Sequence, residues 1–520
     1  MKRLDTAVYY GCLSTLAGLA VVLAGCSRAP EKAAPAKPAS LAVTQGLGPS
    51  AWTVPVDVNA NPTQTDYYNF AWQSFIAVNW PALPSTTTAL AQPDTTKTIG
   101  ATTNGAMIPT VWLLYRDLAT AMLAGAANPG GWATLQPPPP TGCATAPPNS
   151  VVQGFQPMLL DMLSKFSKFP SEVNQATNNP LIDQQGWYAV FDVRLDQSEY
   201  TFIQQNGYYN AANQINAFIP PNQGIQPFPR NGQEKYFNPP LPSYAQYGSL
   251  EVKAAWRVLN PQTDILSRYY TQTGYFLQPD GATCEGPVTF GLIGLHILRL
   301  TPSTPGTWFW STFEQVDNVA VPSGIQRPNG TPLTPSLAQP NTPNGNCTAS
   351  YNVAPPSVTG NIPWDNLNQP VNVCQVTYPI PTPVQQVNQS WQNQLQGTPF
   401  AFYQLDNTLN PVTAGSQGYE FPPINDPNDL VGNNTLANTS METYFQEPGQ
   451  SCLSCHGYGQ PDGAPQPLTG TNQIFTFLLG NADVAPTATA AVRAKRRPIL
   501  LPLDKFPHRR VSQKAWPRKK

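Results

Sequence analysis

Two cysteines and a histidine near the end of the chain have the spacing that covalent haem attachment requires. Cys452, Cys455 and His456 form the run Cys-Leu-Ser-Cys-His. Cysteines three residues apart lie about one helical turn apart, and the adjacent histidine can then bind the iron axially. Chance alone gives about 0.0007 such matches in a chain of this composition. The motif therefore predicts one covalent haem c, held by Cys452, Cys455 and His456.

Two other kinds of site also use paired cysteines. A zinc site needs two further Cys or His ligands at comparable spacing, and the downstream chain offers only His508. A redox disulfide of the thioredoxin kind sits in a βαβ pattern, whereas Gly, Pro and Gln surround this motif. Both stay open as alternatives to haem.

The sixth ligand of the iron is less constrained, because no methionine follows Met441. A protein ligand must come from upstream or from His508. His296 is the most informative candidate, predicted as a haem-distal ligand or pocket residue. The alternatives are a core histidine at 296, ligation by Met441 or His508, and an open site holding water. A strand over residues 288–300 would place these apolar side chains on the face of His296: Phe290, Leu292, Leu298 and Leu300.

Glu314 follows in the aromatic-rich segment 308–318, and a hairpin would bring it alongside His296. If the sixth site is open, a distal histidine with a carboxylate could move protons in peroxide chemistry. The alternative is a solvated glutamate at a strand end.

The N-terminus has the features of an export signal. Lys2 and Arg3 precede an apolar stretch over residues 7–22 that is too short to span a bilayer comfortably. The run Leu-Ala-Gly-Cys ending at Cys26 resembles the lipobox of bacterial lipoproteins, which implies diacylation of Cys26 and stable membrane attachment. A plain cleaved signal or an uncleaved anchor is the alternative. The residue after Cys26 is Ser27 and not aspartate, which by the same resemblance implies the outer membrane. The chain is therefore predicted to be exported and anchored to the membrane on its periplasmic face.

Export places the remaining thiols in an oxidising compartment, where disulfides persist. Four cysteines remain besides the signal, the lipidation site and the haem motif: Cys143, Cys284, Cys347 and Cys374. This even set predicts two disulfides, for which three pairings are possible. Cys347–Cys374 is the first choice, because it would close one Pro/Asn-rich loop.

Composition indicates a folded protein with long connections. The 520 residues include 59 Pro, and only 11% are charged while 10% are aromatic, which argues against a disordered chain. The net charge of −1 hides a tail over residues 493–520 with eleven bases and one acid. The remaining body is acidic, which argues against a nucleic-acid binder. The basic tail is predicted to be a solvated, disordered extension.

The hydrophobic pattern predicts an α+β fold with a β-rich central domain, either an antiparallel sheet or a sandwich. The predicted fold also includes flanking helices, a C-terminal helix carrying the haem motif and long Pro-rich loops. Helices are predicted over residues 65–80, 111–125, 152–169, 441–446 and 471–480, and strands over 187–195, 250–259, 269–277, 288–300 and 307–313. The predicted organisation is a signal peptide (1–25), a tether (26–52), a mixed body with the haem site near its end (53–484) and the basic tail (485–520).

The segments 69–81, 291–297 and 308–318, together with the late Cys-x-x-Cys-His motif, resemble a group of large bacterial proteins described only as "cytochrome c family". The resemblance is spread over residues 65–480. It implies one covalent haem and a lipoprotein of the large monohaem type, without a defined substrate.

The function predicted from these features is that of a membrane-tethered c-type cytochrome that exchanges electrons with a redox partner protein. One alternative is a haem oxidoreductase, peroxidase-like, with an open distal site, so the sequence leaves open whether the chain is an enzyme. Another is a surface binding protein in which haem is structural or sensory.

Overall fold

The computed structural model describes the greater part of the chain between residues 47 and 487. The described residues are 47–48, 50–86, 89–134, 139–143, 145–161, 181, 183–185, 187, 189–222, 224–234, 237–277, 283–303, 308–337, 380–409, 436, 438–441, 452, 456, 459, 461–464 and 476–487. All of them belong to the unit Val43–Lys520.

The helices of the described residues flank a sheet that forms the centre of the fold. The strands are β1 (Thr102–Thr103), β2 (Ala106–Met107), β3 (Arg116–Asp117), β4 (Met158–Asp161), β5 (Val190–Leu195), β6 (Leu250–Val258), β7 (Thr271–Leu277), β8 (Cys284–Arg299), β9 (Phe309–Gln315) and β10 (Tyr403–Leu409). The α-helices are α1 (Gln64–Val78), α2 (Leu118–Ala121), α3 (Gln197–Asn206), α4 (Ala211–Ala217) and α5 (Thr382–Gln394).

Eight of these strands form one sheet in the order β10-β9-β8-β6-β5-β3, with β7 pairing β8 and β4 pairing β7. All pairings are antiparallel except β4 with β7. The strands follow the predicted aromatic and β-branched segments, so the α+β prediction with an antiparallel sheet is confirmed. Of the described helices, none is both long and apolar enough to cross a membrane.

Helix α1 covers one face of the sheet, which we call the helix face. The helix predicted over residues 65–80 is confirmed, and its Trp72 and Phe75 are fully buried and pack on Phe313 of β9 with ring centroids 5.1 and 4.3 Å away. The helix begins one residue earlier than predicted, after the N-cap Thr63, which forms a capping box with Asp66. Helix α5 joins the same layer, because its Asn388 accepts a hydrogen bond from Trp72 Nε1 at 2.9 Å.

The predicted helix over residues 111–125 is wrong. The segment forms a 3-10 turn (Val111–Leu114), then β3, α2 and a second 3-10 turn (Ala124–Ala126). Arg116 explains the interruption: it pairs with Leu195 of β5, and its guanidinium donates to the backbone oxygens of Gly131 and Trp132. Strand pairing with β5 and these buried hydrogen bonds fix Arg116 in an extended conformation, so tertiary contacts override the helical pattern.

Three other helix predictions fall partly or wholly outside the described residues. Within the predicted helix 152–169, Met158–Asp161 is strand β4, paired in parallel with β7, and that part of the prediction is wrong. Residues 442–446 and 471–475 lie outside the described residues. In the predicted helix 471–480, residues 476–478 are described and are not helical, and a 3-10 turn over Leu479–Asn481 follows them.

One predicted pair of cysteines can be located. Cys143 and Cys284 form a disulfide with a Cα–Cα distance of 5.4 Å, and it joins residues 141 positions apart. This connects the 3-10 turn before β4 to the start of β8. The other two cysteines of the predicted set, Cys347 and Cys374, lie outside the described residues, as does most of the predicted excursion 325–372.

Candidate functional site

The structure describes two of the three residues of the haem motif. Cys452 and His456 both have α-helical backbone and are half-buried. A helix brings residues four apart onto one face, so both side chains belong to the same side of the motif. Cys455 lies outside the described residues, as do Cys26 and His508.

The His456 imidazole packs between two aromatic rings. Its centroid lies 4.5 Å from the Trp310 ring, in an edge-to-face arrangement, and 5.1 Å from the Phe477 ring. Trp310 belongs to β9 and is 2% exposed. Because β9 lies inside the sheet, this contact places the motif on the sheet face opposite α1, which we call the motif face.

The chain around His456 is packed tightly against the body. Gly459 N donates to His456 O at 2.9 Å. A Cβ at Gly459 would lie only 2.7 to 2.9 Å from backbone atoms of Thr476, so this close approach requires glycine. Gln214 of α4 is buried and hydrogen-bonds to two stretches of this part of the chain. It accepts from Asp462 N and donates to Leu479 O, at 2.9 Å each.

Strand register places a row of polar residues across the motif face. Lys253 of β6 is opposite His296 of β8, which is opposite Thr312 of β9, which is opposite Asn407 of β10. We call these four residues the polar row. Directly opposite residues share a face of the sheet. His296, Thr312 and Asn407 are buried and Lys253 is half-buried, so the polar row lies beneath covering chain.

The two rows beside the polar row show what covers it. On one side Leu298 is opposite Trp310, the residue that contacts His456. On the other side Gly294 is opposite Glu314, and a Cβ at Gly294 would collide with the Ser440 hydroxyl. Segment 438–441 therefore covers one flank of the polar row, and the haem motif covers the other.

His296 lies on the motif face, as a diagonal neighbour of Trp310. Diagonal neighbours on one face of a sheet are about 7–8 Å apart. One part of the prediction for His296 is wrong: a bulge at Ile293 leaves Ala255 opposite Gly294 but Trp256 opposite Leu292. The extra residue reverses the alternation, so Phe290 and Leu292 lie on the helix face, while Leu298 stays beside His296.

Glu314 is a buried residue, 3% exposed, and lies within a strand instead of at a solvated strand end. It is on the same face as His296, as the hairpin predicted. Burial raises the pKa of Glu314, while hydrogen bonds from Thr439 and Gln404 act in the opposite direction.

The described residues of the motif fit a covalently bound haem. Cys452 offers a sulfur for a thioether bond, and His456 offers an imidazole for an axial bond. Trp310 and Phe477 pack aromatic carbon against the half-buried imidazole. Within the described residues, no three or more His, Cys, Asp or Glu side chains are grouped so as to hold a metal ion.

Several residues of this site were not predicted as site residues from the sequence. Lys253 and Glu251 alternate with Leu250 and Val252, a period of two that indicates a strand with one polar face. That signal could have identified them. Thr476, which donates to Glu251 Oε2 at 2.7 Å, carries no such signal because its role depends on how the chain returns to the sheet.

Comparison of the chain with protein-family models, with curated proteins and with solved structures finds no match.

Proposed function

We propose that this chain is a c-type cytochrome that binds one haem through Cys452, Cys455 and His456 and exchanges single electrons with a partner protein. The observation that carries the proposal is the setting of His456. A cysteine-histidine motif with haem spacing packs its imidazole on Trp310 and Phe477, against the central sheet. When bound, the haem would supply a one-electron redox centre.

The residues of the chain have separable tasks in this proposal. The thioether cysteines retain the cofactor. Trp310 and Phe477 hold the imidazole plane of His456 and keep it in apolar surroundings, which tunes a haem potential. His296, on the same face, is the candidate for the opposite side of the iron or for the pocket wall.

A haem oxidoreductase with an open distal site is the second candidate. The polar row favours it, because a buried histidine next to Thr312 and Lys253 could bind or orient a small polar ligand. Glu314, one row away, adds a carboxyl group that could exchange protons.

Carbon monoxide distinguishes the two candidates. We expect the purified holoprotein to show a six-coordinate, low-spin spectrum that carbon monoxide leaves unchanged. His296→Ala should open the sixth position and give a high-spin ferric form that binds carbon monoxide when reduced. His508→Ala serves as the matched control and should behave like the wild type. A wild-type protein that binds carbon monoxide, with His296→Ala unchanged, would favour the second candidate.

We also propose that diacylated Cys26 anchors the mature chain to the membrane on its periplasmic side. Two acyl chains give stable attachment, whereas one gives only marginal binding. Cys26→Ser should leave the chain soluble after export, whereas the wild type should sediment with membranes and enter the detergent phase. Cys12→Ser, inside the predicted signal, is the control. Membrane association of Cys26→Ser would contradict the lipid anchor.

A further inference from the structure

Glu199 is a buried carboxyl group at the start of α3. It is fully buried, and neither of its oxygens has a hydrogen-bond partner. The hydroxyl groups of Ser198 and Ser249, at the same junction between α3 and β6, are equally buried and also lack a partner. Buried polar groups are normally paired, so a group of unpaired ones at one junction calls for a functional explanation.

The backbone cannot satisfy Glu199 in the usual way. A glutamate at the third position of a helix commonly accepts from the backbone N–H of the N-cap residue. Here the N-cap is Asp196, and its N–H instead donates to Leu250 O at 3.0 Å. An ionised carboxylate without any donor is strongly disfavoured in a buried position, so Glu199 retains a proton.

Glu251 of β6 is the second carboxyl group of this junction and is 7% exposed. Burial raises the pKa of Glu199 well above 4.5, and repulsion by Glu251 and then Asp196 adds to this. Asp196 accepts three backbone N–H bonds, from Ser198, Glu199 and Leu250, and Glu251 accepts from Thr476. Burial raises the pKa of Asp196 to about 7 and raises that of Glu251 as well, and these hydrogen bonds act against both shifts. Glu199 has no such hydrogen bond, so the proton is held most strongly there. The other charged or titratable side chains around the junction are Lys253, Arg299, His296, Tyr115 and Tyr247.

Glu251 connects this pair to the haem motif. Its partner Thr476 directly precedes Phe477, which contacts His456. Glu251 also lies in the same cross-strand row as Trp310, two strands away, which is about 10 Å. A charge at His456 therefore acts through space on a proton bound at this pair.

We infer that Glu199 and Glu251 form a buried proton-binding site coupled to the charge at His456, so that the chain binds a proton when the haem iron is reduced. This inference rests on the proposed function. A haem held by Cys452, Cys455 and His456 would take its electron from an external one-electron donor, which is oxidised. Bulk water supplies the proton, which one carboxylate binds, and no bond of the chain breaks.

Two measurements on Glu199→Gln test the inference, with Glu251→Gln as a second variant and Glu234→Gln as the control. Glu234 is a half-buried glutamate whose carboxylate, unlike that of Glu199, accepts hydrogen bonds from the backbone, at Arg230 and Asn231. The first measurement does not depend on haem: the infrared C=O stretch of a protonated carboxyl group at neutral pH. Burial also raises the pKa of Asp196 and Glu314, so the band can have more than one component. We expect the wild type and Glu234→Gln to give the same band, and Glu199→Gln to lose one component of it. If Glu199→Gln fails to fold, a shift of the band in Glu251→Gln reports the same site.

The second measurement is the midpoint potential of the holoprotein between pH 5 and 9. Each tenfold rise in proton affinity on reduction corresponds to a fall of about 59 mV for one electron as pH rises, and Glu199→Gln should remove this fall. Stability gives a consistent sign: because the folded-state pKa of Glu199 lies above 4.5, Glu199 contributes stability that is lost as pH rises past 4.5, and Gln removes that contribution.

Each outcome decides one part of the inference. Absence of the carboxyl band from the wild type, or a band that is unchanged in Glu199→Gln, would overturn the proton site itself. A band that is present, together with equal pH slopes in Glu199→Gln and wild type, would overturn the coupling. If no haem attaches, the proposed function and the coupling both fail, while the band still shows whether Glu199 holds a proton.

Discussion

Replacing Cys452 and Cys455 together by alanine is expected to remove all covalently bound haem from the chain. A thioether bond forms only at a cysteine sulfur, so the double variant has no attachment point, even if His456 still binds iron weakly. On a denaturing gel stained for haem, the double variant should give no signal. Each single variant keeps one attachment point and should retain part of the signal.

The chain offers a matched control for this experiment. Cys143→Ala/Cys284→Ala also removes two cysteines, but these form the disulfide between the turn before β4 and the start of β8. Loss of a disulfide lowers stability by roughly 2–5 kcal/mol in small secreted domains. We expect this control to unfold earlier on heating and to keep its haem. Equal loss of haem in both double variants would show that attachment fails because the chain does not fold. Loss of haem from Cys452→Ala/Cys455→Ala would then not identify these cysteines as the attachment points.

Trp310→Ala is the second large effect that we expect. Trp310 is 2% exposed, and its ring supports His456 at a centroid distance of 4.5 Å. Truncating a buried tryptophan to alanine costs about 3–5 kcal/mol of the free energy of unfolding. Because the lost ring also held the imidazole, the haem spectrum and midpoint potential should change as well. Trp310→Phe keeps an aromatic face and should have smaller effects on both.

Trp391→Ala separates the two consequences of removing Trp310. Trp391 of α5 stacks on Trp72 and donates to Asn69 Oδ1, all on the helix face. Its loss should lower stability and leave the spectrum and potential unchanged. If Trp310→Ala altered the spectrum no more than Trp391→Ala does, Trp310 would have only a packing role, and the contact with His456 would not matter to the haem.

The sequence predicted those helices and strands whose hydrophobic periodicity reflects which of their own residues are buried. Helix α1 and the aromatic strands β5 to β9 fall close to the predicted bounds, because the apolar residues of each element follow its own periodicity and are buried in the core. Strand β10 was missed: Tyr403–Leu409 contains Gln404, Asp406 and Asn407, residues that disfavour strands. It forms because β9 offers an edge and because Asn388 of α5 bonds both the N–H and the carbonyl of Leu405.

Other features depend on contacts that no local pattern encodes. The bulge at Ile293 decides which of the residues around His296 share its face, and a bulge cannot be read from an uninterrupted apolar run. The Cys143–Cys284 disulfide is the pair that the first-choice pairing of Cys347 with Cys374 leaves over, but its own cysteines, 141 positions apart, carry no local signal for it. The proximity of Glu199, Glu251 and Thr476 likewise arises from three segments far apart in the chain.

The measurement that tests the central claim most directly is the intact mass of the wild-type protein, exported in a host that matures c-type cytochromes and then denatured. The proposal predicts a chain heavier by one haem, with the added mass on the peptide that contains Cys452 and Cys455 and a reduced pyridine haemochrome spectrum typical of two thioether bonds. A folded, exported chain whose denatured form carries no haem, with both cysteines free or joined as a disulfide, would contradict it.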